Sequence, residues 1–437
     1  MKKINNTLRT LYLVILSGLF FLTSCNKELE QFKAIPTPIY PTGNGVAATI
    51  AANPNDSLFN RLLVRTGLAA TLNDLTKTFT IFAVDNAGMK IFVNGATGGI
   101  IPLTASDAVF SAFINGTNTT VFPPLTTPVN LSAASAGGIV QYLTLGQKLP
   151  AASIGTNFPN FPYTSQIILD PTQPFVRMPI FPVRGTPYSY VNNIPITGVD
   201  QAAANGIIHH TFTIVAPPSA TLKSALATEA TLTYFRAAVA RADSGSVGLS
   251  KFDSLLNYGV TNMTVLAPND AAFKTLVFGL AYNGYLASRP KPYTATDSAT
   301  ALATANGAVA AGPAFLNTNN VSTAQVKGII AYHLLASLTT STSTPYQPNI
   351  RVFSVNIPAV PIFIKTLVNG VVASHPGVLA QATYTGSSAT SVKFTGLGPL
   401  LTPTTLPFSD APANVVTADK NAVNGVYHII DKVLLPQ

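Results

Sequence analysis

One short pattern occurs twice in this chain and constrains it more than any other feature. Asn424-Gly425-Val426-Tyr427-His428-Ile429-Ile430-Asp431-Lys432-Val433-Leu434-Leu435-Pro436 sits at the end of the sequence, and Asn205-Gly206-Ile207-Ile208-His209-His210 leads to Ile214-Val215-Ala216-Pro217-Pro218 near its middle. Asn-Gly tolerates positive φ at both residues and so predicts a tight turn, and the apolar β-rich run after it predicts a strand. A turn and strand closing each half imply one fold used twice.

A second pair of segments supports the repeat. Thr80-Ile81-Phe82-Ala83-Val84-Asp85-Asn86-Ala87-Gly88-Met89-Lys90 aligns with Thr264-Val265-Leu266-Ala267-Pro268-Asn269-Asp270-Ala271-Ala272-Phe273-Lys274. Each reads as a short buried strand followed by a helix start. Pro268 lacks the N–H that would continue strand pairing, Asn269 is the expected N-cap, and Asp270 suits a positive helix N-terminus. A third pair aligns Ile139-Val140-Gln141-Tyr142-Leu143 with Ile329-Ile330-Ala331-Tyr332-His333, so Leu143 takes the place of His333. Apolar spacing predicts a helix over 324–335, with Val326, Ile329, Ile330, His333 and Leu334 on one stripe. Asp56-Ser57 and Thr221 are expected caps of the opening helices of each half. Arg351-Val352-Phe353-Ser354-Val355 and Pro361-Ile362-Phe363-Ile364 read as short strands. Thr/Ala/Ser/Pro-rich stretches at 283–323, 337–349 and 401–413 read as loops, and loops of such length usually carry function or motion.

The N-terminus reads as a signal peptide, 1–24. Lys2 and Lys3 precede an apolar run from Leu11 to Leu22, too short for the ~20 residues that span a bilayer. Leu22-Thr23-Ser24-Cys25 resembles the bacterial lipoprotein signal, in which the cysteine is lipidated. Cys25 is the only cysteine, which excludes an intramolecular disulfide. Asn26-Lys27-Glu28-Leu29-Glu30 resembles the acidic surface-export signal of some Gram-negative lipoproteins. Residues 25–45, rich in Pro and Gly, read as a tether. The expected address is a bacterial outer membrane, lipid-anchored at Cys25 and facing the cell surface, with a periplasmic face as the alternative.

Charge points the same way. Only 9% of residues are charged against 47% hydrophobic, which suits an extracytoplasmic protein. The net charge of +9 includes three leader cations and is spread without a dense Lys/Arg run, so no nucleic-acid site is expected. No motif for catalysis, phosphate binding or metal ligation occurs; no cofactor or metal is expected, and the chain is read as not an enzyme. A hydrolase using carboxylates that no motif flags is the remote alternative. The equivalent placement of His209 and His428 points to a scaffold role. The aromatic groups Phe158-Pro159-Asn160-Phe161-Pro162-Tyr163 and Pro187-Tyr188-Ser189-Tyr190 are read as caps on the core edge, with binding anchors as the alternative. Asp431 is expected to face a turn or backbone donors.

Taken in order, Thr264 to Phe273, Tyr332-His333 and Asn424 to Pro436 resemble the signature blocks of the fasciclin domain family. The first half keeps a weaker set. The resemblance implies an α+β architecture of two tandem domains, 46–217 (divergent) and 218–437, each a β-wedge or sandwich of about seven strands with packed helices. It also implies adhesion, or binding of extracellular glycan or protein, without catalysis. Tyr332 and His333 then become candidate adhesion contacts, although His333 on an apolar stripe is expected to be buried. An accessory subunit of an outer-membrane assembly, partnered by another membrane protein, is the alternative.

Overall fold

Each repeat is built around one wholly buried strand. β1 (Phe79–Val84) and β9 (Met263–Pro268) have no exposed residue, as their continuous apolar and β-branched runs require. β1 lies between β2 (Thr144–Leu145), antiparallel, and β8 (Gly206–Thr211), parallel. β9 lies in the same way between β10 (Leu334–Leu335) and β15 (Gly425–Ile430). The registers coincide: Phe79 pairs with Gly206 as Met263 pairs with Gly425. These positions come from a computed structural model that describes residues 39–156, 160–185, 187–317, 321–335, 351–397 and 412–436. Cys25, the signal peptide, Phe158, Pro159 and the stretches 337–349 and 401–411 lie outside the described residues. From Thr42 onward the chain forms one compact unit.

Both sheets extend outward from this shared centre. The first adds β3 (Tyr163–Ile168), β4 (Arg177–Ile180), β5 (Pro182–Val183), β6 (Tyr190–Val191) and β7 (Ile194–Ala203), giving eight strands in the order β4-β3-β2-β1-β8-β7-β6-β5. Only Phe181 separates β4 from β5, so one segment supplies both edges and closes the sheet, which leaves no free edge there. The second adds β11 (Ile362–Ile364), β12 (Val378–Thr385), β13 (Ser388–Thr395) and β14 (Ala413–Ala422), in the order β10-β9-β15-β14-β13-β12-β11. Thr366, just past β11, bridges back to Leu335 of β10 and closes this sheet too. Helices pack around both, so the architecture is α+β with a repeated centre.

The same three polar side chains fasten each centre. Asn205 accepts from Val46 N (2.9 Å) and donates to Leu72 O (2.9 Å); Asn424 accepts from Leu222 N (2.7 Å) and donates to Leu256 O (2.9 Å). Thr80 Oγ1 accepts from Leu149 N and Thr264 Oγ1 from Val352 N, each at 2.8 Å. His209 Nδ1 accepts from Asp200 N and His428 Nδ1 from Asp419 N, each at 3.2 Å. With Nδ1 accepting, Nε2 carries the proton, and it donates to Leu149 O (2.9 Å) and Val352 O (2.8 Å) respectively. Asp200 and Asp419 sit at φ 58° and 59°, where β7 and β14 slip register, so each histidine holds a left-handed bulge against the loop beyond it.

Several local expectations change. Asn205-Gly206 and Asn424-Gly425 are not positive-φ pairs. The hairpin turns over Ala204-Asn205 and Val423-Asn424, and glycine is required for clearance instead: a Cβ at Gly206 would lie 2.2 Å from Phe79 O, and at Gly425 2.3 Å from Met263 O. Asp85 and Asn269 cap the helices Asn86–Ala96 and Asp270–Ala287. Asp56 makes no capping bond to the helix Ser57–Thr66; Asn86 Oδ1 takes Leu58 N instead, as Asp270 Oδ1 takes Tyr234 N in the second repeat. Most of the described part of 283–323 is helical. Asp270–Ala287 runs into it, and Ala295–Ala310 follows behind a Thr294/Asp297 capping box, because alanine favours helix however loop-like the threonines look. Residues 351–355 form no strand, since Asn356 Oδ1 takes Phe353 N and Asp419 Oδ1 takes Ser354 N. The helix expected over 324–335 is Thr323–Tyr332; His333 caps it and Leu334-Leu335 is strand.

Candidate binding cleft between the repeats

A cleft of about 600 Å³ opens where the β3–β4 hairpin of the first repeat faces Gly259–Asn262 and Val423 of the second. Its walls are mostly apolar: Phe161, Pro162, Phe175 and Pro179 on one side, Val260 on the other. Three of these are left in water, Phe175 at 77%, Phe161 at 63% and Val260 at 55% exposure. Most polar wall groups are already engaged. Arg177 Nη1 donates to Gln166 O (3.1 Å) and Gln166 Oε1 (3.0 Å), and Thr261 Oγ1 donates to Tyr258 O (2.7 Å). Asn160, buried, donates to Arg351 O (2.7 Å) and Asn356 Oδ1 (2.9 Å), while its own Oδ1, itself shut off from solvent, has no hydrogen-bond partner among the described residues.

Beneath the cleft lies Arg351, the bulkiest fully buried side chain described. Its Nε donates to Asn262 Oδ1 (2.9 Å), Nη1 to Asn421 Oδ1 (3.0 Å) and Nη2 to Val423 O (3.1 Å). Its guanidinium lies 4.9 Å from the centre of the Phe181 ring of the first repeat. No carboxylate pairs with it among the described residues. Burial therefore lowers its pKa to about 10, offset in part by the nearby Tyr142 hydroxyl. Phe181 also meets Phe353 edge-on at 6.1 Å, and Tyr190 OH donates to Ser387 O (2.9 Å), so the repeats are joined by rings and neutral hydrogen bonds around one cation.

The candidate contacts Tyr332 and His333 are not at a surface. Both are fully buried. Tyr332 OH donates to Gly377 O (2.8 Å), and burial pushes its pKa up to about 12. His333 Nδ1 lies 2.7 Å from Ile329 O, Nε2 accepts from Leu434 N (3.0 Å), and burial lowers its pKa to about 4. Neither side chain is left to touch a partner, because both are bonded to backbone groups inside the second repeat. His375 is buried against the Tyr332 ring at 5.3 Å. Asp431 accepts from Asn414 N (2.7 Å) and Asn414 Nδ2 (2.8 Å), backbone and turn partners as expected. The aromatic groups divide: Tyr190 is buried between the repeats and Tyr163 half-buried, whereas Phe161 stands in the cleft. Phe175 was not singled out by any pattern, and Asn160 and Arg351 stood only inside an aromatic cluster and an expected strand; the three converge through tertiary folding.

Residues 285–436 match the model of the fasciclin domain. The matched stretch includes Tyr332-His333 and the Asn424 to Pro436 block, while Thr264 to Phe273 precedes it. Among solved structures, the chain is similar to a FAS1 domain pair from the insect cell adhesion molecule fasciclin I. Identity is 11%, the match covers 89% of this chain and 95% of that one, and the TM-score is 0.30. No curated protein matches. Fasciclin domains are associated with adhesion and binding.

Proposed function

We propose that the chain is a non-catalytic binding module, anchored through lipid on Cys25 to the surface of a bacterial outer membrane. Its inter-repeat cleft holds an extracellular glycan or protein. The cleft carries this reading: two phenylalanine rings and a valine stay in water on opposite walls of a concavity, an arrangement that costs solubility unless something covers it. The fasciclin match over 285–436 supports binding as the class of activity, and Leu22 to Cys25 supports the lipid anchor.

Two measurements test it. Metabolic palmitate labelling should mark the parent chain, and Cys25→Ala should abolish the label and release the protein from membranes. A photo-crosslinking residue in place of Phe175, on intact cells, should capture an extracellular partner that the same residue in place of exposed Lys148 does not. Equal adducts from both positions, or none, would remove the cleft from the proposal.

A further inference from the structure

The chemistry of the cleft walls narrows the ligand, and the narrowing rests on the binding reading above. Sugars carry several hydroxyls on each ring, and each must find a partner or lose its water uncompensated. The cleft has few groups to offer. Thr261 is bonded within its own repeat, Nη1 of Arg177 is held by Gln166, and Asn262 Oδ1 holds Arg351. An apolar occupant needs no such partners and gains from covering Phe161, Phe175 and Val260. The volume, about 600 Å³, suits a few side chains rather than a whole domain.

One polar feature remains. Arg177 makes no ion pair among the described residues, and no carboxylate lines the cleft. The lining is thus positive on one wall. We infer that the cleft takes an extended apolar peptide segment of a partner protein, with aromatic or aliphatic side chains between the Phe161/Phe175 wall and Val260 and acidic residues beside Arg177. The rings supply affinity, as buried aromatic anchors do at interfaces, and Arg177 supplies charge selection.

The probe is a fluorescein-labelled twelve-residue peptide whose core of phenylalanine, leucine and proline is flanked on both sides by aspartates, titrated against the full chain by anisotropy. Saturable binding is expected. Phe175→Ser and Phe161→Ser should each weaken it by about tenfold or more, without altering the circular dichroism spectrum. Replacing aspartate flanks by lysine should weaken binding by about two- to fivefold, and Arg177→Gln should erase that preference. A serine-core peptide binding equally well would overturn the inference, as would lysine flanks binding better or affinity unchanged in both phenylalanine variants. So would a maltooligosaccharide that binds the cleft while the peptide does not. If the Phe175 crosslink captures a partner but the peptide fails to bind, this inference falls and the binding module stands; if both fail, both fall.

Discussion

The two repeats share a polar scaffold and differ at what surrounds it. Asn205, Thr80, His209 and Asp200 do in the first what Asn424, Thr264, His428 and Asp419 do in the second. The differences fall around these fasteners. Lys148, preceding Leu149, is exposed, whereas Arg351, preceding Val352, is buried against the other repeat. Leu143 stands where the second repeat has buried His333. In the first repeat Asp56 and His210 meet at 3.0 Å, at positions that hold Leu232 and Ile429 in the second. The shared set builds a fold; the unshared set decides how the copies adhere and how each responds to its surroundings.

The largest effect is expected at Arg351. Arg351→Ala leaves Asn262 Oδ1, Asn421 Oδ1 and Val423 O short of a donor and empties the space beside Phe181. The expected cost is about 3–5 kcal/mol in denaturant unfolding, against no more than about 0.5 kcal/mol for Lys148→Ala. Equal costs would mean that the cation is no lock and that the repeats are held by their rings alone.

His333 gives the next contrast. Burial lowers its pKa from 6.5 to about 4. The folded form resists a proton that the unfolded form takes up, so stability is full above about pH 6.5 and falls as pH drops toward about 4. Below that both states are protonated and the loss stops. The whole loss is about 3 kcal/mol. His209, its pKa also lowered chiefly by burial, adds in the same direction. His333→Leu, which copies Leu143, should cost about 1–2 kcal/mol at pH 7, because Leu434 N loses its acceptor, yet flatten the acid limb. A variant whose midpoint falls with acid as steeply as the parent's would sink this assignment.

The Asp56–His210 pair allows one repeat to be converted toward the other. His210→Ile alone leaves a fully buried carboxylate with Asn53 as its remaining side-chain partner, at a cost of about 2–3 kcal/mol. Asp56→Leu with His210→Ile should recover most of that loss, since the second repeat packs the same two positions with leucine and isoleucine. If the double variant is less stable than the single, the pair holds more than its own charge.

Much of the fold could be read from sequence because the fasteners are sequence-local and duplicated. The strand-to-helix blocks at Thr80 and Thr264, and the terminal strands after Asn205 and Asn424, keep spacing that the registers reproduce. Where the reading failed, side chains had taken over backbone hydrogen bonds, as Asn356 and Asp419 do over 353–354, or alanine outweighed threonine, as over 295–310. The cleft was nearly invisible by comparison. Phe161 and Asn160 belonged to a recognisable aromatic cluster, but Phe175 and Val260 come from distant segments, and Arg351 opened a run read only as a short strand. Only tertiary folding brings them together.

That distinction gives the smallest expected effect on stability. Phe161→Ser and Phe175→Ser remove apolar area that is already mostly in water, so each should shift unfolding by less than about 0.5 kcal/mol. Phe181→Ser, one buried ring away at the floor of the same interface, should cost about 3–5 kcal/mol. If Phe175→Ser destabilised the chain as Phe181→Ser does, the exposed rings would belong to the inter-repeat core, and the cleft would be a seam of the fold. If it leaves stability intact while binding is lost, the rings that join the repeats and the rings that meet a partner are two separate sets.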